Sequence, residues 1–122
     1  MGYQSDVKML FKFPDEIRRD AFKAYAKEIM GDAFDWPAVS DRQEGESAFW
    51  LVEFNDFKWY DSYSEVQAWH RISESVDGEE EWRNCSCEFI RVGEDDGDVE
   101  YRSYGNDDDR RMWTRTEIVC DL

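Results

Sequence analysis

Hydrophobic and polar residues alternate at the start of the chain. Between residues 3 and 13 every second side chain from Val7 to Phe13 is apolar, and two lysines lie between them. A period of two is typical of a β-strand with one face against a core. Because Pro14 follows directly, we predict that a strand over residues 3–13 ends there.

A helical period follows this strand. Proline suits the first helical position, and the acidic pair Asp15 and Glu16 complements the positive end of a helix. Gly31 provides a C-terminal stop. The apolar residues between them recur at steps of three and four, namely Ile17, Ala21, Phe22, Tyr25 and Ile29. We predict a helix over residues 14–30 that packs this stripe against a sheet.

The middle of the chain changes from a polar to an apolar pattern. Residues 31–47 carry Gly, Pro, Ser and scattered charge without a clear period, which predicts a loop. Residues 48–54 are dense in Phe, Trp, Leu and Val and predict a strand. Asn55 and Asp56 then favour a turn into a second short strand, residues 57–60. One bent strand is the alternative.

A second helical period begins near residue 62. Ser62 and Glu65 have the spacing of a capping box, and Ser64 with Gln67 provides an alternative box. Gly78 favours the end of the helix. The predicted buried side consists of Val66, Trp69, Ile72, Ser73 and Val76.

The last third of the chain predicts strands over residues 82–92, 99–104 and 112–120, separated by turns rich in Asp and Gly. With 122 residues, one domain over residues 1–122 is expected. The order of elements predicts an α+β domain with a ferredoxin-like antiparallel sheet, two helices on one face and a C-terminal β-hairpin extension.

Charge narrows the classes of partner. The chain contains 30 Asp and Glu against 15 Lys and Arg, which gives a net charge of -15. Such a protein repels nucleic acid and anionic membranes, so we predict no direct binding to either and favour a basic protein surface as partner. The eight Phe, six Tyr and six Trp argue against disorder. The chain has no apolar span, no signal-peptide pattern and three cysteines, so we predict a cytoplasmic location.

The first residues also resemble a known group of proteins. Residues 2–7, GYQSDV, are similar to the GYxSDV start of small proteins encoded by bacteriophages and related mobile elements. Residues 57–60, followed by Tyr63 and Val66, and residues 88–95 resemble later segments of the same group. The resemblance implies a phage origin, the cytoplasm of the host cell as location and a host protein as target. It implies no particular activity.

Three acidic segments are the candidate partner-binding sites. They contain Glu79, Glu80 and Glu81, then Glu94, Asp95, Asp96, Asp98 and Glu100, and finally Asp107, Asp108 and Asp109. Gathered into one lobe they would imitate the phosphates of DNA, although the average charge density of the protein is about fourfold below that of a duplex. A solvated acidic surface is the plainer interpretation. An exposed Trp36 or Trp113 beside an acidic turn would provide an anchor for a partner.

Metal binding and catalysis are alternatives that the spacing does not favour. Cys85, Cys87 and Cys120 with His70 could form a zinc site, but a C-x-C pair in a strand differs from a zinc knuckle, and small core residues explain the cysteines. Residues 94–98 lack the spacing of an EF-hand. A Cys-His nucleophile would lack a third orienting group. We predict no metal, no cofactor and no enzymatic activity.

These observations predict an acidic phage accessory protein that binds and inhibits a basic surface of a host protein. A nucleic-acid-handling defence complex is the expected target, as for anti-CRISPR or anti-restriction proteins that mimic DNA. The alternative is a domain that binds a nucleotide or a divalent cation between helices and sheet. A phosphate would then need a local group of arginines from Arg18, Arg19, Arg110, Arg111 and Arg115. A homodimeric assembly factor is a third interpretation.

Overall fold

The computed structural model describes residues 2–77, 80–105, 111–114 and 118–120. The strands are β1 (Ser5–Phe13), β2 (Ala38–Glu44), β3 (Ser47–Phe57), β4 (Ser86–Gly93), β5 (Val99–Gly105), β6 (Met112–Thr114) and β7 (Ile118–Cys120). The helices are α1 (Glu16–Met30) and α2 (Ser64–Glu74), with short 3-10 helices at Gly31–Asp35 and Glu80–Trp82. The predicted α+β class is confirmed.

Five of the strands form one antiparallel sheet in the order β2-β3-β1-β4-β5. The apolar strand β1 lies at its centre and pairs with β3 on one side and β4 on the other. Strands β6 and β7 form a separate two-stranded sheet. An antiparallel sheet with two helices, as predicted, is therefore present.

One face of the large sheet is covered by both helices. The alternating residues of β1 lie in this core and are fully buried, namely Val7, Met9, Phe11 and Phe13. Phe22 of α1 and Trp69 of α2 belong to the same cluster. The period of two at the start of the chain therefore identified the helix-facing side of the central strand correctly.

The opposite face of the sheet is covered by the small sheet of β6 and β7. Its buried cluster consists of Leu10, Phe49, Leu51, Ile90, Met112 and Ile118. A sheet that is buried on both faces needs apolar residues at consecutive positions, which explains the unbroken apolar run in β3. The predicted single strand over residues 112–120 is wrong, because β6 and β7 pair antiparallel with each other.

The predicted loop over residues 31–47 is also wrong. This segment contains the 3-10 helix Gly31–Asp35 and strand β2, which forms a regular hairpin with β3 around Gly45, whose φ is 61°. Strand β2 is an edge strand, and nearly all of its side chains are exposed. Since it buries neither face, its sequence shows no period of two.

Strand β3 continues without the predicted turn at Asn55 and Asp56. It extends to Phe57, with Asp56 at φ 52° and a shift in its register with β1 between Ser5 and Val7. The separate strand over residues 57–60 is therefore absent, and the fold is closer to the alternative of one bent strand. The irregularity turns Asp56 towards the start of β1.

Helix α1 ends at residue 30 as predicted, but it begins at residue 16 rather than 14 and its buried side differs in part from the predicted one. Asp15 is its N-cap, accepting the backbone N–H of Arg18 at 2.8 Å, and Gly31 ends the helix with φ 59°. The predicted stripe is correct at Phe22 and Tyr25, which belong to or pack against the core, and wrong at Ile17 and Ile29, which are 81% and 58% exposed. The buried residues are Arg19, Phe22, Ala26 and Met30. The Arg19 guanidinium reaches the carbonyl oxygen of residue 42 at the edge strand, so a charged residue fills a position that the pattern assigned to solvent.

Helix α2 buries its predicted side, including Val66, Trp69 and Ile72. Neither predicted capping box forms, because Tyr63 is the N-cap and provides no side-chain bond. Gly78 lies outside the described residues. The next strand begins at residue 86 rather than 82, since residues 80–82 form a 3-10 helix and Asn84 has φ 67°. Among the helices of the described ranges, none is both long enough and apolar enough to cross a bilayer.

Candidate functional site

The pairing of β1 with β4 decides where the acidic segments lie. Ser5 pairs with Gly93, so the turn over residues 94–98 lies at the end of the sheet where β1 begins. Lys12 pairs with Ser86, so the 3-10 helix that precedes β4 lies at the opposite end. Glu80 and Glu81 therefore do not join Glu94 and its neighbours, and the expected single lobe does not form from these segments. The remaining predicted residues Glu79, Asp107, Asp108 and Asp109 lie outside the described residues.

A different set of carboxylates meets at the end where β1 begins. Asp6 of β1, Asp56 of β3 and Glu94 of the β4–β5 turn line one open cleft of about 220 Å³. Asp95 and Asp96 are exposed in the same turn. We call these five residues, from three separate segments, the acidic end.

Backbone hydrogen bonds fix the carboxylates of the acidic end. Asp6 accepts the N–H of Asp56 at 2.9 Å, which holds the irregular end of β3 against β1. Glu94 accepts the N–H of Gln4 at 3.0 Å and holds the turn against the N-terminal segment. The left-handed backbone of Asp56 is tolerated by Asp and Asn better than by most residues. The negative charges are therefore held on a defined scaffold.

The β4–β5 turn is supported from inside by Arg91. Its guanidinium donates to both oxygens of Asp98, at 2.8 and 3.1 Å, and to Glu100 at 3.3 Å. Together with the hydroxyl of Tyr3, Arg91 lowers the pKa of Asp98 to about 2. Gly93 is needed here because a Cβ atom would collide with Tyr3 and Asp98. Since Arg102 also pairs with Glu100, the charges of Asp98 and Glu100 are offset within the fold, and these two predicted partner-binding residues stabilise the turn.

Of the other predicted partner-binding residues, Glu80 is paired with an arginine and Trp36 is exposed. Glu80 forms an ion pair with Arg83 at 2.7 Å, and this end of the sheet also carries Arg18 beside a second cleft. Trp36 is 45% exposed, and its ring centroid lies 5.5 Å from that of Phe57, the neighbour of Asp56. An exposed indole therefore lies close to the acidic end. The side chain of Trp113 is outside the described part of the structure.

A third cleft lies between α2 and β5, and unlike the cleft of the acidic end it is lined by arginines. It has a volume of about 420 Å³ and is lined by Asp61, Gln67, His70, Arg71 and Arg102. We call it the histidine cleft. Burial, and then the positive charge of Arg102, lowers the pKa of His70 below its usual value. The His70 imidazole lies against aromatic rings, with centroids 5.6 Å from Trp59 and 5.2 Å from Phe89.

The cysteines do not form the zinc site that we considered. Cys85 and Cys87 are buried in the helix-side core, whereas Cys120 packs on the opposite face of the sheet. Burial raises the pKa of Cys85 to about 11 and also raises that of Cys87, so both thiols are protonated. The described residues contain no group of three side chains placed to hold a metal ion. The interpretation of Cys85 and Cys87 as small core residues is confirmed.

Asp6 and Asp56 are the residues of the acidic end that sequence analysis missed. Each is an isolated acid at the end of an apolar strand, and no local pattern distinguishes it from an ordinary surface residue. The register of β1 with β3, including its shift, brings the two together. Of the histidine cleft, the sequence indicated His70 alone, and for a different chemistry. Comparisons with protein-family models, with curated proteins and with solved structures give no match.

Proposed function

We propose that this protein binds a basic surface on another protein through its acidic end and blocks that surface. The observation that supports this most strongly is the convergence of Asp6, Asp56 and Glu94 on one cleft, beside Asp95 and Asp96. Among the described residues that line this cleft, none is a lysine or an arginine. The patch is compact, so it suits a local cluster of basic side chains within a larger nucleic-acid-binding groove.

Electrostatics make such a patch an effective docking site. Carboxylates within a Debye length of one another, about 10 Å at 0.1 M salt, act together on an approaching basic group. Complementary charge speeds encounter and selects against acidic partners. Trp36 adds an exposed aromatic side chain close by, and Trp is enriched among residues that dominate binding energy. Steering by charge and anchoring by one indole together support specific binding.

The class of target follows from the charge and from the resemblance of the first residues. A protein of net charge -15 repels nucleic acid itself, while the basic groove of a nucleic-acid-binding protein complements it. The similarity of residues 2–7 to phage-encoded proteins supports a bacterial host protein as that target. In this proposal the protein acts in the host cytoplasm by occupying the groove, without catalysis.

We also propose that β1 to β4 form a ferredoxin-like fold. The chain order β1-α1-β2-β3-α2-β4 and the strand order β4-β1-β3-β2 support this assignment. Strand β5 then extends the sheet at one edge. The pairing of β6 with β7 supports a C-terminal hairpin extension.

The test compares two variants that remove the same number of negative charges. The site variant carries Asp56→Asn, Glu94→Gln, Asp95→Asn and Asp96→Asn, and it keeps Asp6 as the acceptor for the N–H of residue 56. The matched control carries Glu16→Gln, Glu28→Gln, Glu46→Gln and Glu74→Gln, all at exposed positions elsewhere. Each immobilised protein is used to capture host proteins from a bacterial lysate at about 50 mM and about 500 mM salt.

We expect wild type and control to retain a basic nucleic-acid-binding protein at low salt, and the site variant to lose it. Duplex DNA added as a competitor should release the captured protein, because both ligands use the same groove. Equal capture by the two variants would show that the acidic end is not the docking site. Capture that does not weaken with salt would show that charge does not drive binding.

A further inference from the structure

The histidine cleft brings two arginines and the histidine together in an acidic protein. Two of its lining residues, Arg71 and Arg102, carry guanidinium groups, while the chain as a whole has a net charge of -15. The sequence suggested other arginines for a phosphate site, and it gave no sign that these two would meet. They come together because α2 packs against β4, and β5 pairs with β4 at the edge of the sheet.

The two arginines differ in how firmly they are held. Arg102 forms an ion pair with Glu100 and lies over the ring of Phe89, with its Cζ atom 5.9 Å from the ring centroid. Arg71 is exposed on α2, and the described residues provide it with no carboxylate partner. The cleft therefore combines a fixed cation with one that is free to close on a ligand.

His70 adds a group that can gain a proton. Its side chain is 15% exposed, and its Nε2 atom lies 3.6 Å from a carboxylate oxygen of Asp61, which is 87% exposed at the rim. The other charged groups that act on His70 are Arg102, Glu100 and Glu74. An anion bound between the arginines would favour the protonated imidazole, which would then donate to that anion.

We infer that the histidine cleft binds the phosphate group of a small molecule, with Arg71, Arg102 and His70 as its donors. Guanidinium groups match the oxygens of phosphate in geometry and charge. A volume of about 420 Å³ suits a small ligand, and the acidic surface around the cleft opposes longer polyanions. This site is separate from the acidic end and does not depend on the function proposed for it.

His70 is the sole histidine of the chain, so its ring resonances report on the cleft without ambiguity. The experiment is a titration of the protein with inorganic phosphate at pH 7, followed by the NMR signal of the His70 Cε1–H group. Sodium chloride holds the ionic strength constant. In further arms, adenosine monophosphate and adenosine replace phosphate, which separates a phosphate ester from free phosphate as the ligand.

We expect a saturable shift with phosphate or with adenosine monophosphate, and none with adenosine. Arg71→Gln should weaken binding at least about tenfold, since it removes a charge-assisted hydrogen bond. The matched control is Arg83→Gln, an exposed arginine paired with Glu80 at the other end of the sheet, which should bind as wild type does. Asp61→Asn should bind more tightly, because it removes a negative charge from the rim.

A shift that rises linearly without saturation would overturn this assignment. Equal affinity in wild type and Arg71→Gln would overturn it as well. Because Arg71 and Asp61 are both exposed, their variants should fold, and circular dichroism would verify this. The opposite signs expected for the two variants separate ligand binding from a general structural effect.

Discussion

The two faces of the central sheet are covered in different ways. The helix side buries a large cluster of aromatic and aliphatic side chains from β1, β3, β4 and both helices. On the other side the apolar cluster of the described residues has six buried members, two of which belong to the short strands β6 and β7. Extensive apolar contact holds the helices on the first side, whereas among the described residues the small sheet combines a smaller apolar contact with polar bonds. The stability of the two faces should therefore be separable by mutation.

Glu88 is the main polar attachment of the small sheet. Its buried carboxylate accepts the N–H of Arg111 at 2.9 Å and the hydroxyl of Tyr101 at 3.0 Å. Lys8 adds a bond of 3.4 Å to the carbonyl oxygen of Ile118. Arg111 itself pairs with Glu44 of β2, at 2.6 and 2.7 Å. A carboxylate that looks like part of the acidic surface in the sequence is thus structural.

The largest expected effect is on the helix side. Phe22 is fully buried, and its ring contacts those of Phe11 at 5.3 Å and Trp82 at 4.8 Å. Phe22→Ala should lower the free energy of unfolding by about 3–5 kcal/mol, because it removes apolar contacts and leaves a cavity. Urea denaturation monitored by circular dichroism measures this. A loss below about 1 kcal/mol would show that the helix face is not the dominant core.

A smaller and more local effect is expected at Glu88. Glu88→Ala removes the carboxylate that accepts the N–H groups of Arg111 and Met112, and we expect a loss of about 1–3 kcal/mol. Hydrogen exchange should accelerate at residues 111 and 112 and remain slow in β1. Glu88→Gln retains an acceptor oxygen and serves as the control. Uniform acceleration across both faces would contradict their independence.

The contribution of the β4–β5 turn to the free energy of unfolding should depend on pH. Asp98 has a pKa of about 2, below its usual 3.8, so its contribution to stability is complete above about pH 4 and disappears as the pH falls towards 2. Asp98→Asn should remove this contribution and flatten the pH dependence of the unfolding free energy over that range. Asp96→Asn removes an exposed charge from the same turn and controls for net charge. Parallel pH curves for wild type and Asp98→Asn would rule out the Arg91–Asp98 pair as the cause.

The smallest effect is expected on the outer side of α1. Ile17 is 81% exposed, so Ile17→Ala should change the unfolding free energy by no more than about 0.5 kcal/mol. The same denaturation measurement as for Phe22 applies. If this substitution cost as much as a core truncation, Ile17 would be covered, and the stripe expected from the sequence would be correct.

The sequence best predicted the elements with one buried face, because such burial makes apolar residues recur at a regular spacing. Alternation in β1 and the Val66, Trp69 and Ile72 spacing of α2 were sufficient, because each element has one face in the helix-side core. Strand β2 could not be predicted in this way, since an edge strand with both faces exposed carries no such constraint. In α1 the apolar pattern does not mark the buried side, because two isoleucines are exposed and Arg19 occupies an inward position that hydrophobicity cannot reveal.

The sequence indicated Glu94, Asp95 and Asp96 of the acidic end, but neither candidate site could be predicted in full. The acidic end depends on strand register, which places Ser5 opposite both Phe57 and Gly93 and so brings Asp6 near Asp56 and Glu94. The histidine cleft depends on the packing of α2 beside β5, which brings Arg71 to Arg102 across a long separation in the chain. Residue types alone indicate charge, whereas the pairing of strands decides which charges meet.

The cover formed by β6 and β7 has a consequence for solubility. Without it, the apolar side chains of Leu10, Phe49, Leu51 and Ile90 would be exposed to solvent on one face of the large sheet. Exposed apolar patches of this kind promote self-association. Proteolytic removal of β6 and β7 would therefore leave a highly charged protein with an exposed apolar face. Aggregation would then be detectable before unfolding.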